Sequence, residues 1–87
     1  MENQFRIEVL AEEGLGLVAK ILLYFERKQI CVKHMTLDDA TGLQECRFNF
    51  QVMSDEKEVK STSLFISKQV GIIDVSFNNL NLAINAG

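Results

Sequence analysis

The sequence predicts an α+β domain with a ferredoxin-like βαββαβ order, in which a four-stranded antiparallel sheet carries two helices on one face. Two periodicities and the glycine positions indicate this fold. Alternating apolar and polar residues predict strands, and apolar residues three or four positions apart predict helices. The 87 residues suffice for one compact domain. The chain has no proline, so its five glycines are the main interruptions between elements.

The first half of the chain reads as strand, helix and strand. Residues 5–9 alternate apolar and charged side chains, which predicts a strand with one wet face, and residues 11–16 interrupt it as a loop. The spacing is helical from Leu17 onward, whereas residues 30–37 are apolar or β-branched at most positions and predict a second strand. The apolar stripe of the predicted helix consists of Leu17, Val18, Ile21, Leu22 and Phe25.

The second half repeats the pattern. Residues 38–42 have turn composition, and the alternation over 46–52 predicts a third strand. Ser54 is expected to cap the next helix, since a serine oxygen can accept a free N–H of the first turn. The predicted core face of that helix is Val59, Ser63, Ile66 and Val70. Gly71 suits a left-handed cap, and residues 73–77 alternate as a fourth strand.

The order of elements determines the predicted topology and domain limits. Each strand–helix–strand crossover is expected to be right-handed, which places both helices on the same side of the sheet. Residues 1–79 form the predicted domain. Residues 80–87 form a C-terminal tail in which Leu80, Leu82 and Ile84 alternate, so the tail either adds an edge strand or trails.

Composition removes several classes of function. Nine basic and twelve acidic residues give a net charge of −3, which opposes nucleic-acid binding. The apolar run over residues 15–25 is short and contains Lys20, so no membrane span is expected. The first residues lack the pattern of a secretory signal, so the expected location is cytoplasmic, with reduced thiols.

The residue types also argue against an enzyme. His34 is the sole histidine and there are two cysteines, so we expect neither a metal site nor a cofactor, and no catalytic residue is assigned. An acylphosphatase-type enzyme of the same topology needs an arginine-bearing phosphate loop after the first strand, where this chain has Glu12 and Glu13. Residues 47–52 loosely resemble the aromatic strand of RNA-recognition domains, but burial of Phe48 and Phe50 in the core is the favoured interpretation.

A closer resemblance covers the chain from Phe5 to about Asn79. The glycine-bearing loop and helix start over residues 11–18, the Phe–Glu–Arg–Lys run at 25–28 and the strand over 30–37 resemble an ACT domain. They are most similar to the N-terminal ACT domain of the small, regulatory subunit of acetolactate synthase.

The resemblance implies a non-catalytic, allosteric role. Such domains pair, and they bind a small amino acid at the interface between two copies. It therefore implies a homo-oligomer, expected to be a dimer, and a branched-chain amino acid as effector. It also implies a catalytic synthase subunit as partner in branched-chain amino acid biosynthesis. The alternative is a structural oligomerisation domain that binds no ligand.

The implied effector-binding residues are Glu13, Gly14, Leu15, Gly16, Leu17 and Cys31. Glycines permit close backbone approach, and the N-terminus of a helix attracts a carboxylate. Taken without the resemblance, the favoured interpretation is an ordinary strand-to-helix turn that needs glycine for its geometry. Glu13 and Cys31 stand where the family usually has asparagine, and both replacements remove hydrogen-bond donors. We therefore expect weakened binding of the amino-acid effector, binding of a different ligand, or no binding.

Smaller expectations concern packing and the thiols. A turn near Thr41 places Cys31 across from the vicinity of Gln51, so Cys31 and Cys46 are expected to be free. Leu23 and Phe65 point away from the core stripes and, with Cys31, Met35 and Leu37, suggest a partner surface. Thr62 and Ser63 are expected to bond back to helix carbonyls, and His34 to lie on the open face of the sheet.

Overall fold

The protein has the predicted order of four strands and two helices. A computed structural model describes residues 2–12, 15–40 and 45–81. The elements are β1 (Asn3–Ala11), α1 (Leu15–Arg27), β2 (Cys31–Ala40), β3 (Glu45–Ser54), α2 (Glu56–Ser67) and β4 (Ile72–Asn79).

The sheet is antiparallel, with strand order β2-β3-β1-β4. β1 pairs with β3 from Asn3 opposite Ser54 to Ala11 opposite Cys46. β4 pairs with the other side of β1, and β2 pairs with the other side of β3. The two inner strands are therefore β1 and β3, and β2 and β4 form the edges.

Both helices pack on one face of this sheet, as predicted. The sheet side of the core comes from alternate residues of the inner strands: Phe5, Ile7, Val9, Ala11, Phe48, Phe50 and Val52. The helices add Val18, Ile21, Phe25, Val59 and Ile66 to the same cluster. The Phe25 ring meets the Phe50 ring edge to face, with 5.1 Å between centroids. Since Phe48 and Phe50 are fully buried, the third strand offers no such ring to RNA.

The opposite face of the sheet is polar. A shallow hollow of about 330 Å³ lies at its centre, lined by Arg6, Glu8, His34, Thr36, Asn49 and Gln51. The predicted position of His34 on the open face is therefore confirmed.

The N-cap of α2 is Asp55 rather than Ser54. The Glu58 N–H donates to Asp55 Oδ1 at 2.8 Å, and Asp55 has the extended backbone of a cap. Ser54 is the last residue of β3 and is buried. The prediction of Ser54 as cap was wrong because both residues are good cap formers, and the register of β3 with β1 keeps Ser54 in the sheet.

The end of α2 also differs from the prediction. The helix ends at Ser67, with Lys68 as its C-cap. Val70, predicted on the core face, is 96% exposed because it lies in the turn beyond the helix. Gly71 does have a positive φ of 93°, but it lies within this turn, which the Ile72 N–H closes by donating to the Gln69 carbonyl, directly before β4.

Two buried hydroxyls on α2 lack partners. Thr62 is fully buried and Ser63 is nearly so, and neither Thr62 Oγ1 nor Ser63 Oγ makes a hydrogen bond. The expected bonds to helix carbonyls are therefore absent. Both side chains lie on the face that carries Val59 and Ile66 into the core.

Cys31 and Cys46 are not joined by a disulfide, as predicted. Cys31 lies opposite Met53 and Cys46 lies opposite Asp39. The register differs from the expected pairing of Cys31 near Gln51 because β2 and β3 pair from Ala40 opposite Glu45, three residues further along β3 than a turn centred on Thr41 gives. The irregularity between Val32 and His34 then moves the remaining pairs back by one residue. An extra residue on one strand shifts all pairs beyond it.

The chain leaves the sheet after Asn79. Residues 80 and 81 have helical geometry, and Asn81 Oδ1 accepts the Gln4 N–H at 2.7 Å. The Asn81 N–H donates to Asn79 Oδ1 at 2.9 Å. Residues 82–87 of the predicted tail lie outside the described residues, so the division after residue 79 stays a prediction.

Candidate functional site

The candidate site lies where β1 passes into α1. The Glu12 N–H donates to the Gly71 carbonyl at 2.8 Å, which ties the end of β1 to the turn before β4. α1 then begins at Leu15, at the end of the sheet where Ala11 faces Cys46. The first N–H groups of a helix have no carbonyl partner within it and carry partial positive charge, so this helix start can attract a carboxylate.

Gly16 lies in the first turn of α1 and is exposed. A Cβ built on Gly16 meets no atom within 4 Å. Neither backbone conformation nor packing within the described chain therefore requires glycine here. A small exposed residue at a helix start leaves the backbone open to close approach by another molecule.

Leu17 packs toward the turn before β4. Its Cδ2 lies 3.7 Å from the position that a Cβ on Gly71 would occupy, and the Leu17 side chain is half-buried. Sequence reasoning missed the presence of Gly71 at this site. Its signal was a glycine between a helix and a strand, which was interpreted only as a helix cap.

The remaining predicted residues of the loop are described in part. Glu13 and Gly14 lie outside the described residues. Leu15 is the first residue of α1. The structure thus places Leu15, Gly16 and Leu17 together in the first turn of the helix.

Cys31 lies far from this helix start in the same chain. Ala11 is paired with Cys46 and Cys31 with Met53, so the two ends of β3 separate them. The seven residue steps of β3 from Cys46 to Met53, at about 3.3 Å each, separate the two positions by about 23 Å. One copy of the chain therefore does not bring Cys31 to the glycine-bearing turn.

The outer edge of β2 is exposed. Except for half-buried Val32, the side chains described from Cys31 to Asp38 are exposed. Met35 is 41% exposed and Leu37 is 48% exposed. Both lie opposite buried phenylalanines of β3, so they project to the helical side of the sheet. An edge strand of this kind can pair with another strand.

Within residues 2–12, 15–40 and 45–81, no three His, Cys, Asp or Glu side chains are grouped so as to hold a metal ion. No helix in the same ranges has the length and apolar character needed to span a bilayer.

No protein-family model and no curated protein matches the sequence. Solved structures match at the level of fold. The ACT domain of GTP pyrophosphokinase from Chlorobium tepidum superposes with a TM-score of 0.74 at 13% identity, covering 90% of this chain and 100% of that one. An ACT domain protein from Streptococcus pneumoniae gives a TM-score of 0.75 at 11% identity, covering 92% of each chain.

This chain has the ACT-domain fold. The acetolactate synthase small subunit from Thermotoga maritima also shares it, with a TM-score of 0.73 and 18% identity over 85% of this chain. The match covers 46% of that subunit, so this chain spans about half its length. The ACT resemblance of residues 11–18 and 30–37 is therefore confirmed for the fold.

Proposed function

We propose that this chain is a non-catalytic regulatory ACT domain, which dimerises through β2 and binds a small amino acid between two copies. The supporting observation is that the helix start and Cys31 lie at opposite ends of one sheet, about 23 Å apart by strand length. A second copy is the simplest way to bring the two together.

Antiparallel pairing of β2 with β2 of a second copy would do this. A two-fold axis through Thr36 pairs residues that face the same side of the sheet, with Met35 of one copy opposite Leu37 of the other. Because β2 carries one extra residue between Val32 and His34, this pairing sets Cys31 of one copy opposite Ala40 of the other. Ala40 pairs with Glu45, beside the end of the sheet where α1 begins. The two sheets would then form one continuous antiparallel sheet with all helices on one side.

The same pairing would cover apolar surface. Met35 and Leu37 project to the helical side of the edge strand and are 41% and 48% exposed. In the dimer they would lie between the two helical layers. Burial of such residues is the main favourable term in association.

The proposed effector is a branched-chain amino acid. Its carboxylate would meet the N–H groups of the first turn of α1, with Gly16 leaving that approach open. Its apolar side chain would contact half-buried Leu17. Glu13 can accept hydrogen bonds from the ammonium group but, while ionised, donates none.

Regulation would follow from a difference in affinity between two states. An effector shifts an equilibrium only as far as it binds one state better than the other. We propose a catalytic synthase subunit of the acetolactate synthase type as the partner that senses the shift. The proposal includes a cytoplasmic location, which fits the absence of a disulfide between Cys31 and Cys46.

Two measurements on the purified chain test this proposal. Light scattering over a dilution series should show a dimer that dissociates at low concentration, and calorimetry with valine, leucine and isoleucine at millimolar concentrations should show heat for at least one. Monomers at every concentration would refute the whole proposal. A dimer without heat would refute its effector part.

Gly16→Ala sharpens the second measurement. The new methyl has room in the described chain, so the fold should remain intact or gain stability. It would, however, occupy the open approach to the helix start and weaken amino-acid binding. Glu26→Ala, exposed on the same helix, is the control and should leave binding unchanged. Unchanged binding in Gly16→Ala would move the effector elsewhere.

The second candidate is an oligomerisation domain without a ligand. Cys31 favours it, because an exposed thiol is a weak hydrogen-bond donor at a position where an amide is expected. The double variant Glu13→Asn/Cys31→Asn should then acquire amino-acid binding that the parent lacks. Heat already present in the parent chain would exclude this candidate.

A further inference from the structure

A groove runs between the two helices on the outer surface of the domain. Its volume is about 210 Å³, and its lining includes Leu17, Ile21, Leu23, Tyr24, Phe65 and Ile66. The Tyr24 and Phe65 rings stack across it, with 3.9 Å between centroids and 6° between planes. The floor is therefore apolar and largely aromatic, and it joins α1 to α2.

Large apolar side chains at this groove remain in contact with water. Leu23 is 56% exposed and Phe65 is 42% exposed. Apolar concave sites with a few convergent polar groups are the usual form of small-molecule sites. A volume of about 210 Å³ suits a ligand of roughly one ring or a short alkyl chain, since benzene fits in about 150 Å³.

The charged groups at the rim are cationic. Lys20 and Arg27 both line the groove, and Gln69 is its other polar residue. Lys20 and Arg27 are seven residues apart on α1, which separates them by about 10 Å along the helix axis. Lys28 Nζ lies 5.8 Å from the centroid of the Tyr24 ring. None of the described residues that line the groove is acidic.

These charges discriminate among possible occupants. A second copy placed over the groove by a two-fold axis would bring Lys20 and Arg27 against their own equivalents, which is repulsive. An ammonium group in the groove would face the same two cations. An apolar anion, in contrast, satisfies both the aromatic floor and the cationic rim.

We propose that the groove between α1 and α2 binds a small apolar carboxylic acid that lacks an ammonium group, of the aryl or short-chain alkyl class. Its ring or chain lies against Tyr24 and Phe65, and its carboxylate lies between Lys20 and Arg27. This site shares Leu17 with the proposed amino-acid site but otherwise uses different residues, and it does not require a dimer.

A matched series of ligands tests the assignment. 3-Phenylpropanoate, 3-phenyl-1-propanol, 3-phenyl-1-propylamine and L-phenylalanine share one apolar body and differ in charge. Titrated into the ¹⁵N-labelled chain, the carboxylate should bind about fivefold more tightly than the alcohol, in line with two partly exposed ion pairs. The amine and the zwitterion should bind more weakly than the alcohol. Amide shifts should centre on Leu23, Tyr24, Phe65 and Gln69.

Charge reversal provides the decisive variant. Arg27→Glu should remove the preference for the carboxylate over the amine, whereas Lys60→Glu, with the same change in net charge at an exposed site on α2 outside the groove, should retain it. Phe65→Ala should abolish binding without unfolding the domain, because the ring is partly exposed. Raising the salt concentration should reduce the preference for the carboxylate.

Three results would overturn the proposal: equal binding of all four ligands, shifts centred outside the groove, or the same loss of preference in Lys60→Glu as in Arg27→Glu. Each is independent of the dimer mass and the heats with branched-chain amino acids. Failure of this site is therefore distinguishable from failure of the proposed regulatory function.

Discussion

Replacing Thr62 with valine should stabilise this domain. Thr62 is fully buried in α2, and its Oγ1 has no hydrogen-bond partner. In the unfolded chain the hydroxyl is hydrated, so folding removes hydrogen bonds from it without replacement. Valine has nearly the same shape and lacks the polar group.

The size of the effect follows from two contributions. A buried donor or acceptor without a partner costs about 1–3 kcal/mol. Burying an additional methyl contributes about 0.8 kcal/mol. The helix propensities of threonine and valine are nearly equal, so the backbone contribution cancels. After relaxation around the site, we expect Thr62→Val to raise the free energy of unfolding by about 1–2 kcal/mol.

Urea unfolding followed by circular dichroism measures this change, at one fixed protein concentration because dimerisation would add to stability. The melting temperature should rise by about 4–8 °C for each kcal/mol. Ser61→Val is the control, since Ser61 is exposed on the same helix, has nearly the helix propensity of valine and should change stability by less than about 0.5 kcal/mol. Destabilisation of Thr62→Val by more than about 1 kcal/mol would show that the hydroxyl is satisfied in the folded protein.

Three further substitutions probe the corners and the edge. Gly71→Ala should destabilise the domain by about 1–2 kcal/mol, because φ of 93° is unfavourable for residues with a Cβ; no loss in thermal melting would contradict the assigned backbone. Asp55→Ala should cost about 1 kcal/mol in urea unfolding through loss of the α2 cap, and an unchanged midpoint would place the cap elsewhere. Met35→Lys should leave the fold intact but raise the dissociation constant of the dimer about tenfold or more by light scattering. Val70→Lys, at a 96% exposed position in the turn after α2, should leave the dimer unchanged; equal effects would exclude pairing through β2.

The fold was predictable because the core residues recur at two spacings, every second residue in the strands and every third or fourth residue in the helices. The alternation of Phe5, Ile7 and Val9 specifies one face of β1, and the helical spacing of Ile21 and Phe25 specifies the stripe that covers it. Both signals depend on several residues at once, so a single departure does not obscure them.

Element ends and registers depend on single residues and were less predictable. Ser54 and Asp55 are both good cap formers, and only strand pairing shows that Ser54 belongs to β3. The irregularity after Val32, which moves Cys31 opposite Met53, leaves no mark in the alternation. The sequence predicts which residues form the candidate site, but the separation of Cys31 from the start of α1 emerges only from the strand order.

The hydrogen bond from the Glu12 N–H to the Gly71 carbonyl joins the segment before α1 to the turn between α2 and β4. Leu17 packs toward the same glycine, so a displacement of the first turn of α1 would also displace the turn that leads into β4. A molecule bound at the start of α1 would therefore affect the segment after α2 through this surface contact. The rate at which the Glu12 amide exchanges with deuterium reports how often the Glu12–Gly71 hydrogen bond breaks, and a bound effector should slow that exchange.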